Sequence, residues 1–349
     1  AVAEAGALRP LAAVVERWCP GLIHPCAVPR APWQPAALET PNVPEEKLAQ
    51  LLAHVESRTP LDAPPEAVIR AIEGFARGPG HWLKLAGGAK GIMLEGEMRR
   101  RPWRDPPAEI ALELGTFVGY SALRLASSCA RARARGRGGP QLVVSVEVSP
   151  VEACLARHFL DIARSSALAE VWIGQARDAL PRVVEEFSER AAGLLFLDHK
   201  GQVFHEDLEQ AENLGIFAPG SCLVADNALS PGSPLLVWRV FRSERWAATA
   251  LALCEFLEPD HEDWMVVARL LRGPAFEVVP PAPEALWALA WEAEHLRRRS
   301  EGFRPAEPPV RLEDRTALAR RMAEAYWASG IEAMPWRSAA PGAQGGRRD

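Results

Sequence analysis

Acidic or amide side chains stand at the ends of four apolar runs in this chain, an arrangement from which oxygen-rich sites can be built. The first run leads into ELGTFVGYS, from Glu113 to Ser121; the others lead into Glu147, Asp198-His199 and Asp226-Asn227. Gly115 and Gly119 would let backbone come close to a ligand. Ser121 would then open a helix, where free N–H groups and the helix dipole favour a carboxylate or phosphate. Many nucleotide folds share that turn, and it is not a dinucleotide fingerprint, because GxGxxG is absent. Glu147 stands where such folds hold two ribose hydroxyls on an acidic side chain, unless it is a solvated strand-end carboxylate. Asp198, Asp226 and Asn227 supply two carboxylates and one amide oxygen. This hard, oxygen-only set suits Mg²⁺, with water or substrate completing an octahedron. A pair of loop-capping aspartates is the plainer alternative. His199 and His205 raise zinc, but they flank a loop with no cysteine partner, which disfavours it.

Such residues converge only if a sheet brings the strand ends together. Apolar runs at Ile110–Leu114, 142–146, 171–173, 194–197, 222–225 and 264–271 are short and separated by helix-length segments, the pattern of a parallel sheet covered on both faces. In open sheets of that kind, ligands bind beyond the carboxyl ends of the strands, where the strand order reverses. Pro65 to Ala76 reads as an amphipathic helix with proline at its start. Residues 1–64 read as an N-terminal extension whose prolines (10, 20, 25, 29, 32 and 35) break helices and disfavour a packed core, with one helix expected from Pro44 to about Ser57. Residues 65–272 form the expected domain. Residues 273–349 form a tail with helices expected at 284–299 and 312–329, and disorder expected over its last dozen residues.

Composition narrows the function classes. The 349 residues are 48% hydrophobic and 24% charged, ordinary for a globular protein. A net charge of -5 gives no general attraction to nucleic acid, so the arginine run ARARARGRGGP at 130–140 reads as a solvated helix end and loop. No stretch of about 18 apolar residues is present to span a membrane. The six cysteines include no CxxC pair, and Cys19 and Cys26 are the only close two. Reduced thiols in a cytoplasmic protein are expected, with a Cys19–Cys26 disulfide as the minor alternative. Ala1 in place of Met leaves the natural start open, and residues 1–20 lack the pattern of a secretory signal.

Read in order, HWLKLAGGAKGIM, ALELGTFVGYSA, VVSVEVSP, LLFLDH, LVADNALSPGSP and DWMVV resemble the successive motifs of the catechol O-methyltransferase family, class I S-adenosylmethionine-dependent methyltransferases. The resemblance covers about residues 66–272. It is specific as a set, though each motif alone is weak, and the extensions at both ends lie outside it. It implies an α/β fold with a Rossmann-like seven-stranded methyltransferase sheet, mostly parallel with one antiparallel strand, and helices on both faces. The segments 264–271 and about 250–256 would form the closing pair. It also implies S-adenosylmethionine and Mg²⁺ as cofactors and a small-molecule catechol or related phenolic substrate. Ala86 would offer backbone to the methionine part of the cofactor, Ser121 would bind its carboxylate and Glu113 its amino group. Glu147 would hold the ribose, and His199 would lie against the adenine. Gly115 and Asp198 would line the same end, and Asp198, Asp226 and Asn227 would bind the metal. Trp82 and Pro231 would wall a flat aromatic substrate, Asn227 would face it, and Asp263, with Glu262 as alternative, would hold its second hydroxyl. Lys200 would remove the proton.

The chain departs from the family around that lysine. Phe204 and Asp207 fix a register in which Gly201 fills the lysine slot and Lys200 an aromatic wall position, so Lys200 acts as base only if the loop bulges by one residue. Lys84 replaces a methionine, Ala176 and Arg177 replace Ser and Gln, and Phe117 replaces a tyrosine. These changes leave two further functions open: an O-methyltransferase for another hydroxylated acceptor, or a catalytically impaired S-adenosylmethionine-binding domain.

Overall fold

The structure, a computed structural model, describes residues 2–19, 43–104, 109–272, 277–300 and 310–337. Its eight strands are β1 (Ile110–Leu114), β2 (Val143–Glu147), β3 (Ala169–Ile173), β4 (Ala192–Leu197), β5 (Phe217–Ala225), β6 (Trp246–Cys254), β7 (Glu262–Leu270) and β8 (Ala333–Pro335). They form one sheet in the order β3-β2-β1-β4-β5-β7-β6-β8. The pairs β1–β2, β1–β4, β2–β3 and β4–β5 are parallel, and β7 runs antiparallel to both β5 and β6. The expected Rossmann-like arrangement with one reversed strand is therefore present. The order turns back between β1 and β4, so their carboxyl ends open a crevice.

The strands covered on both faces are mostly apolar, with Glu113, Ser145 and Glu147 the polar exceptions in β1 and β2. Every residue of β1, β2 and β4 is buried. One face is packed by α1 (Val2–Trp18), α2 (Glu45–Arg58), α3 (Pro65–Arg77), α4 (Gly88–Arg100), α5 (Tyr120–Ala134) and α6 (Pro150–Ile162). The other is packed by α7 (Ala176–Phe187), α8 (Phe204–Asn213), α9 (Pro234–Arg242), α10 (Glu284–Ser300) and α11 (Leu312–Ala328). Among the described residues, no helix is long and apolar enough to cross a membrane.

Both extensions are built into these cores. Residues 2–18 form a helix despite Pro10, and Leu11, Val14 and Val15 bury a stripe at helical spacing in the same core as α6. The expectation that prolines break helices and disfavour a packed core does not hold for residues 2–18: one proline removes one donor, while the stripe gains an apolar face. Residues 20–42, with Cys26 and the remaining prolines of that reading, lie outside the described residues, as does the end of the tail from 338. The tail also adds an eighth strand to the seven expected. Ala333–Pro335 pairs parallel with β6 and covers an edge whose backbone groups would otherwise face solvent. The arginine run closes α5: Arg131 pairs with Glu66 and Glu95, Arg133 donates to the Pro140 and Gln141 carbonyls, and residues 134–138 are exposed.

Candidate active site

The crevice begins with Gly115, directly after β1. Its φ of +102° lies in the region glycine favours, and a Cβ there would meet the Asp198 carbonyl oxygen at 2.5 Å. The ends of β1 and β4 thus approach as closely as backbone allows. Gly119 caps α5 in a left-handed conformation against Ala156, which sets Ser121 in the first turn of α5.

Glu113 of β1 is fully buried at this end of the strand. Ser145 Oγ donates to its Oε2, Ser121 stands beside it, and Thr116 Oγ1 lies 2.5 Å from Ser145 Oγ. Its other oxygen, Oε1, is buried without a hydrogen-bond partner. Burial pushes the carboxyl up to about 7. An orphaned, buried carboxylate oxygen beside a helix N-terminus fits a zwitterionic ligand, its ammonium on Glu113 and its carboxylate at the helix. Glu147, at the end of β2, is held by backbone donors: Phe117 N–H reaches Oε2 at 2.6 Å and Ser149 N–H reaches Oε1 at 2.9 Å. Burial raises its pKa, opposed by these N–H groups and by nearby His199. The His199 ring is fixed by Asp207, 2.7 Å from Nε2, and by the Leu114 carbonyl, 3.2 Å from Nδ1. Ala86 is buried just before α4.

Beside Asp226 lies a group that sequence reasoning missed. The Lys90 ammonium, carried on α4, is 2.8 Å from Asp226 Oδ1, 2.7 Å from Glu255 Oε1 and 2.7 Å from Asp263 Oδ2. Burial opposes its charge, but Asp226, Asp263 and Glu255 outweigh that and hold its pKa well above the usual lysine range. With Asp198, which faces Asp226, four carboxylates share this one ammonium. Burial, then the charges of Asp226 and Glu113, push Asp198 well up, and burial pushes Asp226 up to about 6.

That imbalance suits a divalent cation. Asn227, in a left-handed conformation, directs its Nδ2 inward to the Ser230 carbonyl at 3.1 Å, toward Glu255 and Asp263, leaving its amide oxygen uncommitted. Among the described residues, no three His, Cys, Asp or Glu side chains form a metal-holding group; Asp198, Asp226 and the Asn227 amide offer two carboxylates and one amide oxygen, the hard donors Mg²⁺ takes. These three fit Mg²⁺ by donor chemistry.

The two expected walls stand on separate segments. Trp82 packs edge-on to Phe75 (6.0 Å) and to Phe117 of the Gly115 turn (6.5 Å), with the Lys47 ammonium 5.7 Å from its ring centre. Pro231 follows a cis peptide in the Ala228–Gly232 loop. Asp263 anchors that loop. Its Oδ1 accepts N–H of Leu229 (3.1 Å) and Ser230 (2.8 Å), its Oδ2 holds Lys90, and the side chain is fully buried. Glu262 is exposed and accepts the Trp264 indole N–H. Both Asp263 oxygens are thus engaged within the protein. Glu255, at 23% exposure, is the carboxylate on Lys90 that keeps access to solvent. Lys200 opens a turn closed by Val203 N–H on its carbonyl at 3.0 Å, with Gly201 next in that turn.

An open sheet of this order, with the glycine turn after β1 and an acid ending β2, is the Rossmann-like methyltransferase architecture. The catechol O-methyltransferase of Mus musculus is 29% identical over 190 residues, which cover 54% of this chain and 65% of that protein. A Mycobacterium tuberculosis protein named as a probable O-methyltransferase is 34% identical over 172 residues, covering 48% of this chain and 67% of that protein. An O-methyltransferase of Bacillus cereus, solved in complex with SAH, superposes with a TM-score of 0.47 and 23% identity over 62% of this chain and 99% of that one. No family model matches the chain. The chain belongs to the O-methyltransferases and is similar in sequence to the catechol O-methyltransferases. It spans less than two thirds of the length of the mouse, zebrafish and bovine catechol O-methyltransferases that it matches.

Proposed function

We propose that the protein transfers a methyl group from S-adenosylmethionine to one hydroxyl of a catechol-type small molecule, with Mg²⁺ as the metal. What supports this reading is the surplus of negative charge where Asp198 faces Asp226, with Asn227 next in sequence and Glu113 within electrostatic reach of Asp198. A cation held by these three supplies Lewis acidity that makes a bound hydroxyl more acidic.

The chain's own residues do the rest. Glu113 receives the cofactor's ammonium and the first turn of α5 its carboxylate, while Glu147 accepts from the ribose hydroxyls. Trp82 and Pro231 confine a flat ring, and Glu255 takes over the role expected of Asp263, accepting the second hydroxyl. Lys200, opening its turn beside the metal-ligand candidate Asp198, accepts the proton. Much of the rate would come from holding the nucleophile against the methyl group, a term that reaches effective molarities of about 10⁵ M or more.

Gly201 in the lysine slot favours a second reading, an acceptor other than a simple catechol in a pocket reshaped around residue 201. Replacing Asp226 with Ala tests the first reading. Turnover of a catechol should be lost while cofactor affinity stays near wild type, and unchanged turnover would overturn the metal assignment.

A further inference from the structure

Helix α11 lies outside the family resemblance, yet it touches the acceptor end of the site. Tyr326 is fully buried, and its hydroxyl donates to the Ala228 carbonyl at 2.8 Å. Its ring stacks on Trp264 at 5.3 Å, next in sequence to the loop anchor Asp263. One turn earlier on α11, the buried Met322 presses its methyl group onto Gly232, inside the space a Cβ would need. The Gly232 carbonyl in turn stands 3.1 Å from where a Cβ on Gly201 would lie. A line of contact therefore runs from Met322 through Gly232 to Gly201, the slot where the family resemblance expects a lysine. Arg315 on α11 also meets Glu258, between β6 and β7, at 2.6 Å.

We propose that α11 is a working wall of the acceptor site, in which Met322 and Tyr326 are positioning residues. They seat the Ala228–Gly232 loop, which carries Pro231 and begins beside Asn227, against Gly201. The pocket is thereby narrowed on the side of residue 201, and the C-terminal segment becomes a determinant of which acceptor fits. Any side chain at 201 would have to displace the Gly232 carbonyl, which Met322 blocks from behind. Loss of the Tyr326 hydroxyl would leave the buried Ala228 carbonyl without that donor, so the loop would loosen while the sheet and the cofactor end stayed in place. The acceptor part of this inference rests on the proposed function; the seating of the loop does not.

The test compares Tyr326→Phe, Met322→Ala and the conservative Met322→Leu in the full chain. Three quantities are read: amide hydrogen exchange over residues 227–233, S-adenosylmethionine affinity by calorimetry, and KM and kcat for catechol. In Tyr326→Phe and Met322→Ala, exchange in 227–233 should rise by about tenfold, the equivalent of losing about 1.4 kcal/mol of local stability. KM for the acceptor should rise more than kcat falls, cofactor affinity should hold, and Met322→Leu should restore wild-type values. Unchanged exchange in both variants would overturn the proposal. So would a fall in cofactor affinity that matched the loss of acceptor binding, because α11 would then support the whole fold rather than this wall. If wild-type protein turns over no catechol, the functional reading fails, and the exchange data still decide whether α11 seats the loop.

Discussion

The ammonium of Lys90 lies 2.7 Å from the carboxylate of Asp263, and the two side chains are only 1% and 0% exposed. Through Asp263 this pair reaches the N–H groups of Leu229 and Ser230, so one buried lysine links α4 to the Ala228–Gly232 loop. Removing one partner of a buried ion pair leaves an uncompensated charge, at a cost of about 3–5 kcal/mol. Lys90→Met should therefore lower the unfolding midpoint in denaturant markedly. Lys90's pKa is raised on folding, so its stabilisation is fully present below the ordinary lysine pKa and is lost only as pH climbs through the higher folded value. A Lys90→Met protein as stable as wild type at neutral pH would contradict this role.

Glu113 should make cofactor affinity depend on pH. Burial holds its carboxyl at about 7 in the ligand-free protein, above the ordinary glutamate value. Its contribution to the stability of that form is therefore full below the ordinary glutamate pKa and is lost as pH rises through about 7. A cationic amino group favours the ionised carboxylate, so binding below about pH 7 must release a proton, and affinity should fall by up to about tenfold per pH unit there. Calorimetry in buffers of different ionisation enthalpy measures the proton release. Glu113→Gln should flatten the profile, and an unaltered slope in that variant would remove Glu113 from the cofactor site.

A third expectation concerns the join between the N-terminal helix and the domain. Cys19 Sγ lies 2.8 Å from Cys154 Sγ on α6, and both are free thiols. Contact with Cys154, helped by the nearby Arg157, brings the Cys19 thiol down to about 7. Mild peroxide should join these two sulfurs, with peroxide reduced to two waters as the thiols are oxidised to a disulfide. Mass mapping should find the cross-linked peptides of Cys19 and Cys154. Another pair, or no cross-link, would show that the two thiols do not meet in solution.

The strand-end acids were legible in the sequence because each closes a short apolar run, and a parallel sheet gathers such ends at its switch point. Glu113, Glu147, Asp198 and Asp226 meet for that reason. Glu255 follows the same rule just beyond β6, which runs parallel to β5, but the apolar run of β6 was placed only through the resemblance and its end was not read as a site position. Lys90 was illegible because a lysine in a Gly-rich helix start reads as solvated. Its burial depends on three acids from distant parts of the chain. Helix α1 was hidden by Pro10 and an alanine-rich composition, and β8 is three residues long, too short to carry a period. Gly201 was legible as a departure from the family, whereas the packing of Met322 on Gly232, whose carbonyl faces Gly201, comes from a distant helix that only the fold brings near.

The most direct measurement is transfer of labelled methyl from S-adenosylmethionine to a panel of catechols, with Mg²⁺ and again with a chelator. Labelled product that forms with Mg²⁺ and disappears with chelator is the expected result. Labelled product that persists undiminished in chelator, or a folded, cofactor-binding protein that labels no catechol, would contradict the reading of this site as an Mg²⁺-dependent catechol O-methyltransferase.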